Sequence, residues 1–245
     1  MKLLFTGAAG YAGQGICSVL SERHDVRGFD IKAATALTDH IVGDVADLDA
    51  CRAAVDGVDA VVMCHMAPNP VGYQTPPPAI DINVKGTANL YHVMGEHGLT
   101  RAVLISSTGV MGLGPGRDAA IGDGPYQFDT MYSLTKVFQE CLARHYHQSL
   151  GIVTTVLRPA WIVNDGKLLT KYGEKMEQYH ASLIDPRDIG EAVDLALKLP
   201  DPTLEAFNLG QDDFEIDLTR THDRLRWRAN HRFESLSRQP PTTTR

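Results

Sequence analysis

Two hydrophobic rhythms alternate along the chain. Short, nearly continuous apolar runs recur at residues 2–7 (KLLFTG), 25–30 (DVRGFD), 39–44 (DHIVGD), 59–67 (DAVVMCHMA), 101–112 (RAVLISSTGVMG, running out into a loop), 152–159 (IVTTVLRP) and 205–210 (EAFNLG). Between them lie segments whose apolar residues return every three or four positions: Gln14–Arg23, a short one over Asp47–Asp56, Ala79–His97, Asp129–Leu150 and Asp188–Leu199. Runs of four to eight read as buried strands, and three-to-four spacing reads as helices. In the first helix Ile16, Val19 and Leu20 fall on one side. The longest has Asp129 or Thr130 as its cap and Gly151 as its stop. Residues 68–78 (PNPVGYQTPPP) are too rich in proline for either element and read as a loop.

Strands apolar on both faces, alternating with helices, predict a parallel sheet covered on both sides. The expected fold is α/β, a Rossmann-like doubly wound sheet with a small, reduced C-terminal substrate subdomain. Residues 1–160 form the core, 161–233 the smaller segment interleaved with the last core strand and helix, and 234–245 a flexible tail. Sheets of this kind take ligands at the carboxyl ends of their strands, at the topological switch point.

Composition narrows the function. A length of 245 residues at 43% hydrophobic suits one large α/β domain with at most a small appendage. The formal net charge of −7 argues against a nucleic-acid partner. No apolar run approaches the ~18 residues of a membrane span. Cys17, Cys51, Cys64 and Cys141 lack CxxC spacing and read as reduced core thiols of a cytoplasmic protein. No metal is expected: there is no HExxH, and His145 and His147 at i,i+2 do not share a helix face.

Candidate chemistry begins right after the first strand. Lys2 and its apolar run loosely suggest a secretory signal, but glycine breaks the run after only four residues. The better reading is strand, glycine turn, helix, strand, acid: TGAAGYAG carries Gly7, Gly10 and Gly13, and the second strand ends in Asp30. Glycines let the backbone approach a pyrophosphate, and the helix start offers it N–H donors. A carboxylate at Asp30 accepts the adenosine ribose hydroxyls and repels a 2′-phosphate, which favours NAD over NADP. Lys32 is a solvated lysine or a phosphate clamp. Asp44 accepts from the adenine amino group or caps the helix that starts near Asp47.

The second cluster is MYSLTK. Tyr132 and Lys136 stand at i and i+4 on one predicted helix, so they share a face. A lysine ammonium nearby favours the phenolate of a tyrosine whose usual pKa is ~10. The pair can take a proton from a hydroxyl while hydride leaves the same carbon, with Ser107 holding the substrate oxygen.

With these motifs the sequence resembles the extended short-chain dehydrogenase/reductases, the NAD-dependent epimerase/dehydratase family, through about Phe233. TGAAGYAG, Asp30, GDV at 43–45, INVKGTANL at 82–90, ISSTGVMG at 105–112, YSLTK, LRPAW at 157–161 and DPRDIGEAV at 185–193 carry the resemblance. DLTRTHDRLRW at 217–227 is similar to the family's short closing helix. The resemblance implies a catalytic triad of Ser107, Tyr132 and Lys136. It implies an NAD site of Gly7, Gly10, Tyr11, Ala12, Gly13, Asp30, Ile31, Asp44, Val45, His65, Met66, Ala67, Asn83, Tyr132, Lys136, Pro159 and Ile162. Asn83 is structural or part of a proton relay. The substrate would meet Asn69, Ser107, Thr108, Tyr132 and Lys167, and Lys167 and Lys171 either bind a substrate carboxylate or are solvated.

The resemblance further implies a homodimer built on the helices at 79–97 and 129–150, offering Leu90, Met94, Phe138 and Leu142. Two departures stand out: Met111 replaces the family's usual tyrosine, and Thr108-Gly109 stand where uronate dehydrogenases carry Asn-His. The short stretch from Asn164 to Ser182 suits a small free substrate. The expected function is an NAD-dependent oxidoreductase acting on a hydroxyl- or aldehyde-level carbon of a small sugar or sugar acid. An epimerase or dehydratase with internal hydride return is the alternative within enzymes, and an NAD sensor the alternative outside them.

Overall fold

The computed structural model describes residues 1–68, 75–111, 126 and 129–238. Seven parallel strands form one sheet in the order β3-β2-β1-β4-β5-β6-β9, made of β1 (Lys2–Thr6), β2 (Asp25–Asp30), β3 (Asp39–Val42), β4 (Ala60–Met63), β5 (Arg101–Ile105), β6 (Val153–Pro159) and β9 (Glu205–Leu209). The chain winds outward through β1, β2 and β3, returns beside β1 as β4, and winds the other way. The switch point between β1 and β4 is where such sheets bind ligands. A second, two-stranded sheet joins β7 (Trp161–Ile162) to β8 (Leu183–Ile184).

Both sheet faces are apolar because each side chain along a buried strand meets a helical layer. On one face, α1 (Tyr11–Leu20) and α6 (Pro186–Leu197) pack Ile16, Leu20, Ile189 and Val193 against Leu3, Phe5, Val62 and Val103. On the other, α2 (Leu48–Val55), α4 (Gly86–Glu96) and α5 (Met131–Leu150) cover Leu4, Val61, Leu104 and Val156 with Val55, Leu90, Met94 and Ala143. Leu90 and Met94 are fully buried here by the chain's own sheet, so they are not offered outward for a symmetry mate. Phe138 is exposed and Leu142 half-buried.

Several boundaries differ from the expected ones, each for a local reason. Helix α1 starts at Tyr11, inside the glycine turn, rather than at Gln14. Helix α6 starts at Pro186 rather than Asp188, with Pro186 in its first turn and the Asp185 carboxylate accepting from the Arg187 N–H. Proline is tolerated there because a first-turn N–H has no helical partner to lose. The same applies to α3 (Pro76–Ala79), which makes Pro76–Pro78 helical rather than loop. Asp47, not Asp44, caps α2, accepting from the N–H groups of Asp49 and Ala50. The closing segment forms a single π-helical turn at Thr221–Leu225. Of the cysteines, Cys17 and Cys51 are buried, Cys64 is half-buried and Cys141 is exposed, so Cys141 is no core thiol. Most of the expected flexible tail, residues 239–245, lies outside the described residues. No helix among the described residues is long and apolar enough to cross a membrane.

Candidate active site

The glycine turn sits directly on the switch point. Gly7 has φ +77°, a left-handed conformation that favours glycine. A Cβ there would also lie 2.9 Å from the Cys64 carbonyl oxygen, just beyond β4. A Cβ on Gly13 would lie 2.1 Å from the Gly7 carbonyl oxygen, so helix and turn touch through bare backbone. Gly10 precedes α1 without a side-chain cap, so no capping side chain takes the N–H groups of the first turn where a pyrophosphate would dock. Asp30, at the end of β2, accepts from Ala9 N–H at 3.1 Å and Lys32 N–H at 3.0 Å. The carboxylate is thereby locked beside the turn, in a position to meet a ribose. The residues present fit a dinucleotide.

Two connected hollows extend from this turn. One, of about 240 Å³, is lined by Asp30, Ile31, Lys32, Asp44, Val45, His65 and Met66 among others. Asp44 accepts from the Ala46 N–H at 2.8 Å, which shapes the loop before α2. The other, of about 520 Å³, holds Tyr11, Ala12, Gly13, Ser107, Thr108, Tyr132, Lys136, Pro159 and Ile162. Gly7, Gly10, Asp30 and Met66 line both.

Three elements aim the expected chemistry into the larger hollow. Ser106 and Ser107 directly follow β5 and both line this hollow. Ser107 accepts from the Gly109 N–H at 3.1 Å and opens a turn of 3-10 helix at Thr108–Val110. A Cβ on Gly109 would lie 3.3 Å from the Ser107 Oγ and 3.9 Å from the Tyr132 Cε1, so hydroxyl and phenol ring flank that glycine. Tyr132 and Lys136 ride on α5, whose start is fixed by a reciprocal cap between Thr130 and Ser133 and whose end is the left-handed Gly151. Lys136 is buried and donates to the Ile105 carbonyl at 2.8 Å. Burial pushes its pKa down to about 8, against a partial upward pull from Cys64.

Behind the hollow a π-helical segment, Ile80–Lys85, widens the helix between α3 and α4. Single π turns often mark functional places in helices. Here the turn presents Asn83, fully buried, whose side chain accepts from the Ala67 N–H at 2.7 Å and donates to Thr135 Oγ1 at 2.9 Å. Asn83 and Ala67 therefore brace the wall and do not line either hollow. His65 lies between Thr6 Oγ1 at 2.8 Å and Thr87 Oγ1 at 3.2 Å. Burial, with the Lys136 charge adding, pushes its imidazole down to about 3, so it is neutral.

Other expected residues fall elsewhere. Asn69 lies outside the described residues. Lys167 is exposed and is not among the lining residues, whereas Lys171 lines the larger hollow with its ammonium 5.8 Å from the centre of the Tyr132 ring. Tyr11 does more than line the turn: its hydroxyl accepts from the Asn164 N–H at 2.7 Å and donates to the Leu169 carbonyl, tying the glycine turn to the segment after β7.

Sequence reasoning missed the support beneath the serines. Glu140, one helical turn beyond Lys136, is fully buried with Arg158 of β6 at 2.7 Å. The same carboxylate accepts from Ser106 Oγ at 2.6 Å, and Arg158 also donates to the Met111 sulfur at 3.3 Å. Thus Met111, at the family's tyrosine position, is a packed acceptor for Arg158. A lone charged residue, an arginine, inside an interior strand was the available signal, since a buried charge needs a partner.

Fold and cleft together define a dinucleotide-binding α/β protein. The chain belongs to the NAD dependent epimerase/dehydratase family, whose model matches residues 3–210. It is 30% identical over 239 residues to an L-arabinose 1-dehydrogenase (NAD(P)(+)) of Haloferax volcanii, covering 90% of this chain and 92% of that protein. It is 32% identical over 200 residues to a 3 beta-hydroxysteroid dehydrogenase/Delta 5-->4-isomerase of Mycobacterium tuberculosis, covering 75% of this chain. There the chain spans about half of the relative's length, 53%. Among solved structures, a mutated uronate dehydrogenase superposes with a TM-score of 0.78 at 25% identity, over 96% of this chain and 83% of that one.

Proposed function

We propose that the protein is an NAD-dependent oxidoreductase that oxidises a hydroxyl- or aldehyde-level carbon of a small sugar or sugar acid. The observation that carries this reading is the convergence of Ser107, Tyr132, Lys136 and Lys171 on the hollow that also contains the glycine turn. NAD, when bound, supplies the acceptor for the hydride. The Ser107 Oγ, already accepting from the Gly109 N–H, turns its own proton to the substrate oxygen. The Tyr132 phenolate takes the hydroxyl proton as the carbon is oxidised. Lys136 holds that phenolate by its charge; with its pKa near 8 it is mostly protonated at neutral pH and loses the charge as the solution turns alkaline. Lys171, rather than the exposed Lys167 expected among the substrate-binding residues, supplies the cation for a carboxylate on the substrate. The four free cysteines suit a cytoplasmic setting.

Acid–base groups of this kind serve a dehydrogenase and an epimerase equally. The dehydrogenase is favoured by the compact segment between β7 and β8, which leaves little chain to clamp a nucleotide, and by the arabinose dehydrogenase relative that matches nearly end to end. The test is to incubate protein and NAD with aldoses, uronates and nucleotide sugars, following NADH absorbance and product stereochemistry together. NADH accumulating in stoichiometry with product on free sugars or sugar acids is expected. Inversion of a nucleotide sugar without net NADH would establish the epimerase instead.

A further inference from the structure

Large apolar side chains exposed on a folded protein are informative when they gather around a cavity. Seven are exposed among the described residues, and three line the cleft: Ile31 at the small hollow, and Trp161 and Tyr172, 46% and 51% exposed, at the large one. The chain's other tryptophan shows the contrast. Trp227 is 2% exposed, with its indole N–H on the Asp188 carbonyl at 2.8 Å, and is part of the core.

Trp161 is held in place by its backbone. Its N–H donates to the Ser182 carbonyl at 2.7 Å, and the neighbouring Ala160 N–H donates to the Leu209 carbonyl at 2.9 Å, which ties β7 to both β8 and the main sheet. The His180 ring flanks the indole at 6.4 Å between centroids. Tyr172 lies under the Lys171 ammonium, 4.9 Å from ring centre to nitrogen. Hydroxyl and ammonium groups thus share the hollow with two exposed aromatic side chains, Trp161 and Tyr172, and the ammonium of Lys171 lies over the Tyr172 ring.

We propose that Trp161 is the stacking surface for the C–H face of a pyranose ring whose carboxylate meets Lys171, itself held over the Tyr172 ring; this rests on the reading above, for its sugar-acid substrates. The face of an indole is electron-rich and attracts positively polarised hydrogens. The C–H groups of a sugar ring are polarised in that way by their oxygens, while its hydroxyls point outward from the ring edge. Stacking covers the apolar face of both partners and leaves the hydroxyls for Ser107 and Tyr132. A flat surface and a cation held near the Tyr132 ring together restrict which carbon reaches the phenol. Trp161 is therefore a substrate-binding residue that selects a ring over an open chain.

The test uses Trp161→Ala and Trp161→Phe with a uronate as substrate. Trp161→Ala should raise KM by about tenfold or more, the scale of one well-placed aromatic contact, and change kcat less. Trp161→Phe, which keeps a ring, should recover most of the loss. Calorimetric NAD binding by both variants checks that the cleft is intact. In a Tyr132→Phe background, which stops turnover, the uronate should change tryptophan emission saturably, and that change should vanish in Tyr132→Phe/Trp161→Phe, because only buried Trp227 remains. A wild type that turns over none of the sugars fails the underlying reading and takes this proposal with it. A wild type that oxidises uronates, with Trp161→Ala unchanged in KM and no emission change, overturns the stacking surface alone.

Discussion

Tyr132→Phe folds, binds NAD and loses on the order of 10²–10⁴ in turnover, the usual contribution of a positioned acid–base group. The substitution removes one oxygen and leaves the ring in place beside Gly109. The cap between Thr130 and Ser133 does not involve the phenol, so α5 keeps its start. Lys136 keeps its bond to the Ile105 carbonyl. In the proposed mechanism the lost group is the one that accepts the substrate proton, so the loss should fall in kcat rather than in the affinity for NAD. Far-ultraviolet circular dichroism, NAD calorimetry and steady-state rates measured on the same preparation separate these effects. A Tyr132→Phe variant with wild-type turnover would remove Tyr132 from the mechanism.

The second large effect lies beneath the site. Arg158→Leu strips the fully buried Glu140 of both its guanidinium bonds, at 2.9 and 2.7 Å. The carboxylate is left with the hydroxyls of Ser106 and Tyr126. Removing one member of a buried ion pair typically costs about 3–5 kcal/mol, whereas replacing both by apolar groups is often close to neutral. Urea unfolding should therefore show Arg158→Leu destabilised by that amount and Arg158→Leu/Glu140→Leu restored toward wild type. A single variant as stable as wild type would mean that the pair is not buried as described. The pair also matters for chemistry. It ties α5 to β5 and β6 within one helical turn of Lys136 and one residue of Ser107, so the double variant should be stable yet slower.

Most of the architecture was legible because it rests on local pattern. Apolar runs gave the strands, and the glycine turn followed by Asp30 gave the switch-point cleft. The i,i+4 spacing of Tyr132 and Lys136 put both on one face of a capped helix. Helix starts were less legible, since first turns carry caps and prolines rather than periodic apolar residues; hence Tyr11, Pro76 and Pro186 instead of Gln14, Ala79 and Asp188. Periodicity also shows that Leu90 and Met94 belong to an apolar face without showing what covers it, and here the chain's own sheet does. Residues between β7 and β8 follow no period at all. Nothing in their spacing distinguishes Lys171, which lines the hollow, from Lys167, which does not. The bond between Tyr11 and the 164–169 segment and the Glu140–Arg158 pair join residues far apart in the chain, where no sequence interval records the contact.

A crystal structure of Tyr132→Phe with NAD and a uronate bound together would show the cofactor and substrate in the cleft at once. The pyrophosphate is expected on the Gly7–Gly13 turn and the ribose on Asp30. The reacting oxygen is expected within hydrogen-bond reach of Ser107 Oγ and against the edge of the phenyl ring left at position 132, with the sugar carboxylate at Lys171. A dinucleotide in the cleft with the sugar bound away from Ser107 and position 132, or with its carboxylate toward Asp30, would contradict it.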